Sequence, residues 1–241
     1  MIRSGRALSL FLLLAAACAP GEPKSPEEFS HALARWLQGA DAGGILNLVD
    51  MRYQDEVGGQ GRLGDDLRQL FTVYGPLRLR FEKLVEDGDI CTGTVRLKGR
   101  GLTFHGPWKL SLIPGPQGPL IGSGVLPELR LVLNTLRERR LALETGVVER
   151  LADVVSHTYH DRNGGRDELV SRLRGELLAS YGMAVIYRDL DITVEATSAS
   201  ARVKLLLVRH TGPDKVIEEN REETLSLVRE GSSFRLAGGL D

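Results

Sequence analysis

The apolar residues of this chain follow a helical spacing first and a strand spacing afterwards, and this order occurs twice. Between residues 25 and 40 they recur every three or four positions, at Phe29, Ala32, Leu33, Trp36 and Leu37. This spacing places them on one face of a helix. From residue 77 they take every second position, at Leu77, Leu79 and Phe81, with arginines between them. Such alternation predicts strands of an antiparallel sheet with one buried face.

Capping and turn residues divide the helical part of each copy. The start of the first helix is predicted at Ser25, Pro26 and Glu28. A serine side chain can accept a hydrogen bond from a free N–H group of the first turn, and proline suits the first helical position because it has no N–H group. Gly43-Gly44 is predicted to end that helix, and a second short helix follows over residues 45–49. A third helical segment carries Leu63, Leu67, Leu70 and Phe71. Each copy is therefore predicted to have three helices followed by about four strands.

A seven-residue motif marks the repeat most clearly. Tyr53-Gln54-Asp55-Glu56-Val57-Gly58-Gly59 returns 106 positions later as Tyr159-His160-Asp161-Arg162-Asn163-Gly164-Gly165, and both segments share the pattern Y-x-D-x-x-G-G. A period of about a hundred residues is far longer than that of solenoid repeats, so each copy is predicted to be a domain. The two domains are expected over residues 25–125 and 126–241.

The first eighteen residues predict export. Arg3 and Arg6 precede an apolar run over residues 7–17, which suits a signal peptide and is too short to span a bilayer. Ala15-Ala16-Ala17-Cys18 resembles the lipobox of bacterial lipoproteins, with ordinary cleavage at an A-x-A site as the alternative. We expect a signal peptide over residues 1–17, and a lipidated Cys18 with a polar tether over residues 18–24. Because alanine follows the cysteine, the expected location is the cell envelope, at the outer membrane facing the periplasm.

Composition excludes several partners and chemistries. Loss of residues 1–17 removes two arginines and no acid, so the net charge changes from −1 to −3 and gives no electrostatic basis for nucleic-acid binding. Attachment to a membrane would rest on the lipid of Cys18. The other cysteine is Cys91, which would then have no disulfide partner. The sequence has no phosphate-loop, nucleophile-elbow or zinc motif, so we expect no cofactor and no metal.

The order of three helices and four strands, with Y-x-D-x-x-G-G between the second and third helices, resembles the NTF2-like superfamily, which includes SnoaL-like and cystatin-like cone domains. The resemblance implies an α+β fold with two tandem cone domains, each with three helices packed on a curved antiparallel sheet. Enzymes of this superfamily, such as ketosteroid isomerase and scytalone dehydratase, carry carboxylate, tyrosine or histidine side chains on the concave face of that sheet.

In the first copy the predicted concave face carries no acid and no histidine. Its residues include Leu79, Phe81, Cys91, Val95, Trp108 and Leu110. We keep Tyr53, Asp55 and Trp108 as ligand-pocket candidates and assign no catalytic residue. A folding role for the motif is the alternative, because aspartates favour turns before glycines with positive φ and a tyrosine can bury its ring with the hydroxyl bonded.

The second copy has more polar candidates. His157, Tyr159 and Asp161 alternate along one segment and can converge at a pocket mouth. Arg188 shares its parity with Ile186, so it is expected on the concave side, where it could meet an anionic ligand. The favoured alternative is that its alkyl stem carries the guanidinium to the rim of the cone. His157, Tyr159, Asp161 and Arg188 are therefore ligand-pocket candidates.

Two surface features complete the sequence-based picture. Leu206 and Val208 make the outer face of their strand unusually apolar, which suggests packing through sheet faces, either between the two copies or in a homodimer. The run Arg137-Glu138-Arg139-Arg140 is interpreted as the solvated side of the long helix of the second copy.

Two functions remain open. The first is a non-catalytic envelope lipoprotein whose paired domains bind a partner protein of the envelope or a small apolar ligand. The second is a pocket enzyme of the isomerase or dehydratase type that acts in the second copy. They differ in whether the cavity of the second copy holds a buried ionisable residue with a second polar group in hydrogen-bond reach.

Overall fold

The structure is a computed structural model that describes residues 23–178, 182–212 and 215–240, so Cys18 and the predicted signal peptide lie outside the described residues. The first copy contains α1 (Pro26–Gly39), α2 (Ala42–Asn47), α3 (Gln60–Tyr74), β1 (Arg78–Asp87), β2 (Ile90–Gly99), β3 (Leu102–Gly115) and β4 (Gly118–Ser123). The second copy contains α4 (Pro127–Thr145), α5 (Val148–Val154), β5 (His160–Asp161), β6 (Gly164–Gly165), α6 (Arg166–Leu178), β7 (Gly182–Val194), β8 (Ser198–Gly212), β9 (Lys215–Glu230) and β10 (Ser233–Gly238). The α+β fold predicted from the sequence is confirmed. Within the described ranges no helix is both long and apolar enough to cross a membrane.

The first helices begin at the capping residues, but the predicted break between them is wrong. Ser25 Oγ accepts a hydrogen bond from the N–H of Glu28 at 3.3 Å. After α1 the chain turns at Ala40, and the carboxylate of Asp41 caps α2 by accepting from the N–H of Gly44 at 2.9 Å. Gly43 and Gly44 therefore lie inside α2. A Cβ on Gly44 would collide with the ring of Trp36, so glycine lets the two helices approach.

The main sheet passes through both copies. Its strand order is β1-β2-β3-β7-β8-β9-β10, and β4 pairs with the end of β3. The described pairs in this sheet are antiparallel except for β3 and β7, which run parallel over residues 102–105 and 190–193. Hence the copies are joined edge to edge. The expectation that they pack on each other through sheet faces is wrong, because the pairing of strand edges joins their two sheets into one.

Among the described residues, two strand segments of this sheet are hydrogen-bonded to a neighbouring strand on one side and to no strand on the other. β1 pairs with β2, and the first part of β9, residues 215–223, pairs with β8. In the repeat, residues 217–220 of β9 correspond to residues 102–105 of β3, which pair with β7. Both edges carry acids, namely Glu86 and Asp87 in β1 and Glu218 and Glu219 in β9.

A bulge in β7 changes which residues face the core. The register with β8 shifts between Tyr187 and Asp189. Val185 is buried before the shift, and the even-numbered residues 190, 192 and 194 are buried after it. Ile186 and Arg188 are exposed, so the prediction that they lie on the concave face is wrong. The extra residue of the bulge reverses the alternation of faces.

One continuous core lies between the helices and the sheet. Leu33 and Leu37 of α1 are fully buried, and they belong to the same cluster as Val132 of α4. Within the first copy the rings of Phe81 and Trp108 pack edge to face, with centroids 5.2 Å apart. Burying a large apolar side chain contributes roughly 1.5–3 kcal/mol, so this shared core stabilises both copies together.

Candidate functional site

The tyrosine of the first motif lies in the core, and its hydroxyl is already bonded. Tyr53 is 2% exposed. Its hydroxyl donates to Asp55 Oδ2 and accepts from the N–H of Val125 at 3.1 Å. Asp55 Oδ1 accepts from the N–H groups of Val57 and Gly58 and so closes the turn. Burial first, and then the negative charge of Asp55, raise the pKa of Tyr53 well above its usual value.

The cation that balances this motif comes from the second copy. Arg130 of α4 places Nη1 2.6 Å from Asp55 Oδ2 and Nε 2.8 Å from Asp66 Oδ2. The side chains of Asp55 and Arg130 are each 1% exposed. Arg62 of α3 also contacts Asp66, at 3.0 Å. A buried ion network therefore connects the two copies.

The second motif is closed by residues of its own copy. The hydroxyl of Tyr159 donates to Asp161 Oδ2 at 2.6 Å and accepts from the N–H of Leu240 at 3.3 Å. Arg172 of α6 lies 3.4 Å from Asp161. Burial and the hydrogen bond to Asp161 raise the pKa of Tyr159. The hydrogen bond from Tyr159 is the main reason why the pKa of Asp161 is lowered.

The other sequence-predicted candidates lie apart from one another. Trp108 is buried, and its Nε1 donates to Ser30 Oγ at 3.2 Å. His157 is exposed, although Tyr159 two residues later is buried. Arg188 is exposed on the outer face and donates to Asn220 Oδ1 at 3.1 Å. Thus Tyr159 and Asp161 meet each other, while His157 and Arg188 face solvent.

A cleft of about 480 Å³ lies between the two copies. One wall is α3, the facing wall is α4, and the first half of β7 forms the floor. The apolar lining consists of Leu70, Val73, Tyr74, Leu133, Leu136, Val185, Ile186, Tyr187 and Leu190. Sites for small molecules commonly measure roughly 300–1,000 Å³ and have mainly apolar walls. The cleft has the size of such a site, and nine of its 17 lining residues are apolar or aromatic.

The charged lining of the cleft is mainly arginine. It consists of Arg62, Arg130, Arg137, Arg140, Asp66 and Glu144. Asp66 is shared by Arg62 and Arg130, and Arg140 Nε lies 3.7 Å from Glu144. Among the described residues, Arg137 has the side-chain oxygen of Gln69 as its partner, at 3.4 Å. Positive charge is therefore least balanced near Arg137 and Arg140.

Two tyrosines reach the part of the cleft that contains Arg140. The hydroxyl of Tyr187 donates to the carbonyl of Leu136 at 3.1 Å and accepts from Arg139 at 3.5 Å. Burial raises the pKa of Tyr74 to about 12, with a smaller contribution from Tyr187, and burial also raises the pKa of Tyr187. The charge of Arg140, which lines the same cleft, opposes both increases. Both hydroxyls therefore stay protonated at neutral pH.

The cleft was not predicted because Arg137, Arg139 and Arg140 were interpreted as the solvated side of α4. That interpretation is wrong for Arg139, which is buried. Arg139 is 6% exposed and pairs with Glu223 at 2.8 Å, whereas Arg137 and Arg140 line the cleft. The available signal was the spacing of Arg130, Leu133, Arg137 and Arg140, which places them along one side of the helix.

Comparison with known proteins gives a likeness of fold over about half of the chain. No protein-family model and no curated protein matches the chain. A candidate dehydratase of the NTF2-like family from Streptomyces avermitilis is 12% identical, with 46% of this chain and 92% of that chain covered at a TM-score of 0.42. A candidate scytalone dehydratase from Novosphingobium aromaticivorans is 18% identical, with 47% and 82% covered at 0.43. An uncharacterised protein with a cystatin-like fold from Caulobacter vibrioides is 19% identical, with 46% and 85% covered at 0.39.

Proposed function

We propose that this protein is an envelope-anchored binding protein that holds a small, largely apolar molecule in the cleft between its two copies. The observation that carries this proposal is the cleft of about 480 Å³, with its walls of leucine, valine and tyrosine. Burial of an apolar ligand there is favoured by roughly 25 cal/mol for each Å² removed from water. Because α3 and α4 form opposite walls, the site depends on both copies.

The chemistry of the ionisable groups favours binding over turnover. A general base needs a pKa near the working pH, and burial without a cation is the usual way to raise that of a carboxyl group. The pKa values of Tyr74 and Tyr187, which line the cleft, are raised by burial, so both hydroxyls keep their protons at neutral pH. In the second copy the pKa of Asp161 is lowered, opposite to what an isomerase or dehydratase base requires.

Anchoring through a lipid on Cys18 would keep this cleft close to the envelope, where apolar molecules are abundant. The polar segment predicted as a tether, residues 18–24, would separate such a lipid from the residues of α1. To test the anchor, cells that make the parent chain and Cys18→Ser are fractionated. We expect the parent to partition into detergent and the variant to remain in the periplasm or unprocessed. Identical fractionation of the two would refute lipidation.

Binding in the cleft is tested with the neutral apolar fluorophore N-phenyl-1-naphthylamine and the full chain carrying Cys18→Ser. Val73 lines the cleft and is 45% exposed, so Val73→Trp should fill the cleft without disturbing the core. Val85 on β1 is 60% exposed and lies outside the cleft lining, which makes Val85→Trp the matched control. We expect Val73→Trp to weaken probe binding at least tenfold, by occlusion, and Val85→Trp to leave it unchanged. Equal probe binding by both variants would overturn the cleft as the site.

A further inference from the structure

We propose that the ligand of this cleft is an amphiphile with one acidic group, and that Arg137, Arg140 and the Tyr74 hydroxyl bind its anion. The inference rests on the proposed binding function and adds the chemical class of the ligand. It places the apolar tail along Leu70, Leu133 and Leu136, which line the same cleft.

The first reason is that two cationic side chains lack full partners. Arg137 and Arg140 are three positions apart on α4, so their side chains are neighbours on the helix. Within the described part of the chain Arg137 has no carboxylate in salt-bridge distance, and Gln69 is its hydrogen-bond partner. The Arg140 side chain is 40% exposed, and the carboxylate of Glu144 lies 3.7 Å from its Nε, beyond hydrogen-bond distance. A bound anion can therefore accept charge-assisted hydrogen bonds from the exposed N–H groups of this guanidinium.

The second reason is that Glu144 is not placed to form a bidentate ion pair with Arg140. Glu144 Oε1 accepts the N–H of Val185 at 3.1 Å, on the part of β7 that does not pair with β3. This hydrogen bond holds the carboxylate at the floor of the cleft. A guanidinium binds a carboxylate best through two parallel N–H···O bonds, a geometry that the 3.7 Å separation does not provide.

The third reason is that the opposite end of the cleft is electrically balanced. There Arg62 and Arg130 face Asp66, and Arg130 also faces Asp55. The positive charge that an anion can neutralise therefore lies at the end with Arg137 and Arg140. Tyr74 lines the cleft at this end, and no described residue hydrogen-bonds its hydroxyl, which can donate to an anion.

The test compares decanoate with 1-decanol, which have the same number of carbons and differ in the head group. Both are titrated by calorimetry into the full chain with Cys18→Ser at neutral pH. We expect decanoate to bind about tenfold to a hundredfold more tightly, as one charge-assisted hydrogen bond allows. Arg140→Gln and Arg137→Gln should each reduce this preference at least threefold. Arg35→Gln, at an exposed site on α1 outside the cleft lining, should leave it unchanged.

The outcomes separate the two proposals. If decanol binds as tightly as decanoate to the parent chain, the acidic class is wrong and the apolar cleft remains. If neither compound binds and the fluorophore is also insensitive to Val73→Trp, the proposed function fails as well. If the preference for decanoate survives both arginine substitutions, the anion lies elsewhere. A variant that does not fold leaves the comparison of the two ligands in the parent chain, which decides the ligand class by itself.

Discussion

The two Y-x-D-x-x-G-G motifs have the same internal hydrogen bonds and different sources of positive charge. In each, the tyrosine hydroxyl donates to the aspartate and accepts a backbone N–H, from Val125 or from Leu240. Asp55 then pairs with Arg130, which belongs to the second copy and is 1% exposed. Asp161 pairs with an arginine of its own copy that is 31% exposed.

The difference arises at one position of the repeat. Counting from the tyrosines, Asp66 of α3 corresponds to Arg172 of α6. The second copy therefore supplies its own cation, whereas the first copy places two acids together and needs Arg130 and Arg62 to neutralise them. The aspartate of the second motif is therefore paired within its own copy, whereas the buried acids of the first copy need an arginine from the second copy.

The largest expected effect concerns the two halves as separate chains. Residues 126–241 should unfold in one cooperative transition, because their motif is closed internally. Residues 25–125 should be only marginally folded, since Asp55 and Asp66 lose Arg130, whereas the loss of the pairing between β3 and β7 affects both halves. Urea titration followed by circular dichroism measures both. If the two halves had equal free energies of unfolding, the first copy would not depend on the second for its stability.

Next in size is the replacement of each cation in the whole chain. Arg130→Met should lower the free energy of unfolding by about 3–5 kcal/mol, because it leaves the buried carboxylate of Asp55 without a cation, although Asp66 keeps Arg62. Arg172→Met should cost about 1–2 kcal/mol, since this side chain is partly solvated. Arg150→Met, at an exposed position of α5, serves as the control. Denaturant titration measures the free energy of unfolding of the three variants. If Arg130→Met and Arg172→Met lowered it by similar amounts, the two motifs would not differ in their dependence on a cation.

A smaller difference is expected for the hydroxyl groups. Tyr53→Phe should cost about 1–3 kcal/mol, because the hydroxyl serves a carboxylate inside the buried network. Tyr159→Phe should cost less, about 0.5–1.5 kcal/mol, because the aspartate to which it donates pairs with a partly solvated arginine. The same titrations measure both. A larger loss for Tyr159→Phe would reverse the expected order.

The smallest effect is the response to alkaline pH. The pKa values of Tyr53 and Tyr159 are raised by folding, so their contribution to stability is complete below the unfolded value of about 10 and declines as the pH rises through the folded values. Ultraviolet absorbance of phenolate should therefore increase together with the loss of structure. In the variant with both tyrosines changed to phenylalanine, stability should decline less steeply above pH 10. Gradual ionisation of these tyrosines in the folded chain would refute this.

The elements of this fold could be predicted because local sequence determines them. The cap at Ser25 and the apolar spacing of α1 hold in the structure, as does the alternation in β2 and β3. The bulge in β7 could not be predicted, because it is a mismatch between two paired strands, and it reversed the expected faces of Ile186 and Arg188. Gly44 was predicted to end a helix because glycine is a poor helix former. Its actual role is to make room for the ring of Trp36, which lies on another helix, and local sequence does not show that contact.

The site was harder to predict than the fold. Each copy was considered as a complete cone with its own pocket, whereas the cleft forms where α3 of one copy faces α4 of the other. The roles of Arg130 and Arg137 depend on that arrangement, because their partners Asp55 and Gln69 come from the other copy. Sequence spacing can show that three arginines share a helix side, but it does not show what the side faces.

The parallel pairing of β3 with β7 is a head-to-tail contact, and such contacts can propagate. In a contact with two-fold symmetry, both copies use the same surface, so no such surface is left over. Here the edge of the first copy at β3 pairs with a different edge of the second copy at β7. One edge of each copy therefore remains at the ends of the sheet, where a further copy could pair in the same way. Those ends are β1 and the first part of β9. Both edges carry charged side chains, including Glu86 and Asp87 in β1 and Glu218 and Glu219 in β9. Charged side chains on edge strands oppose pairing with further strands, so they disfavour growth into a fibre and favour a sheet that stops after two copies.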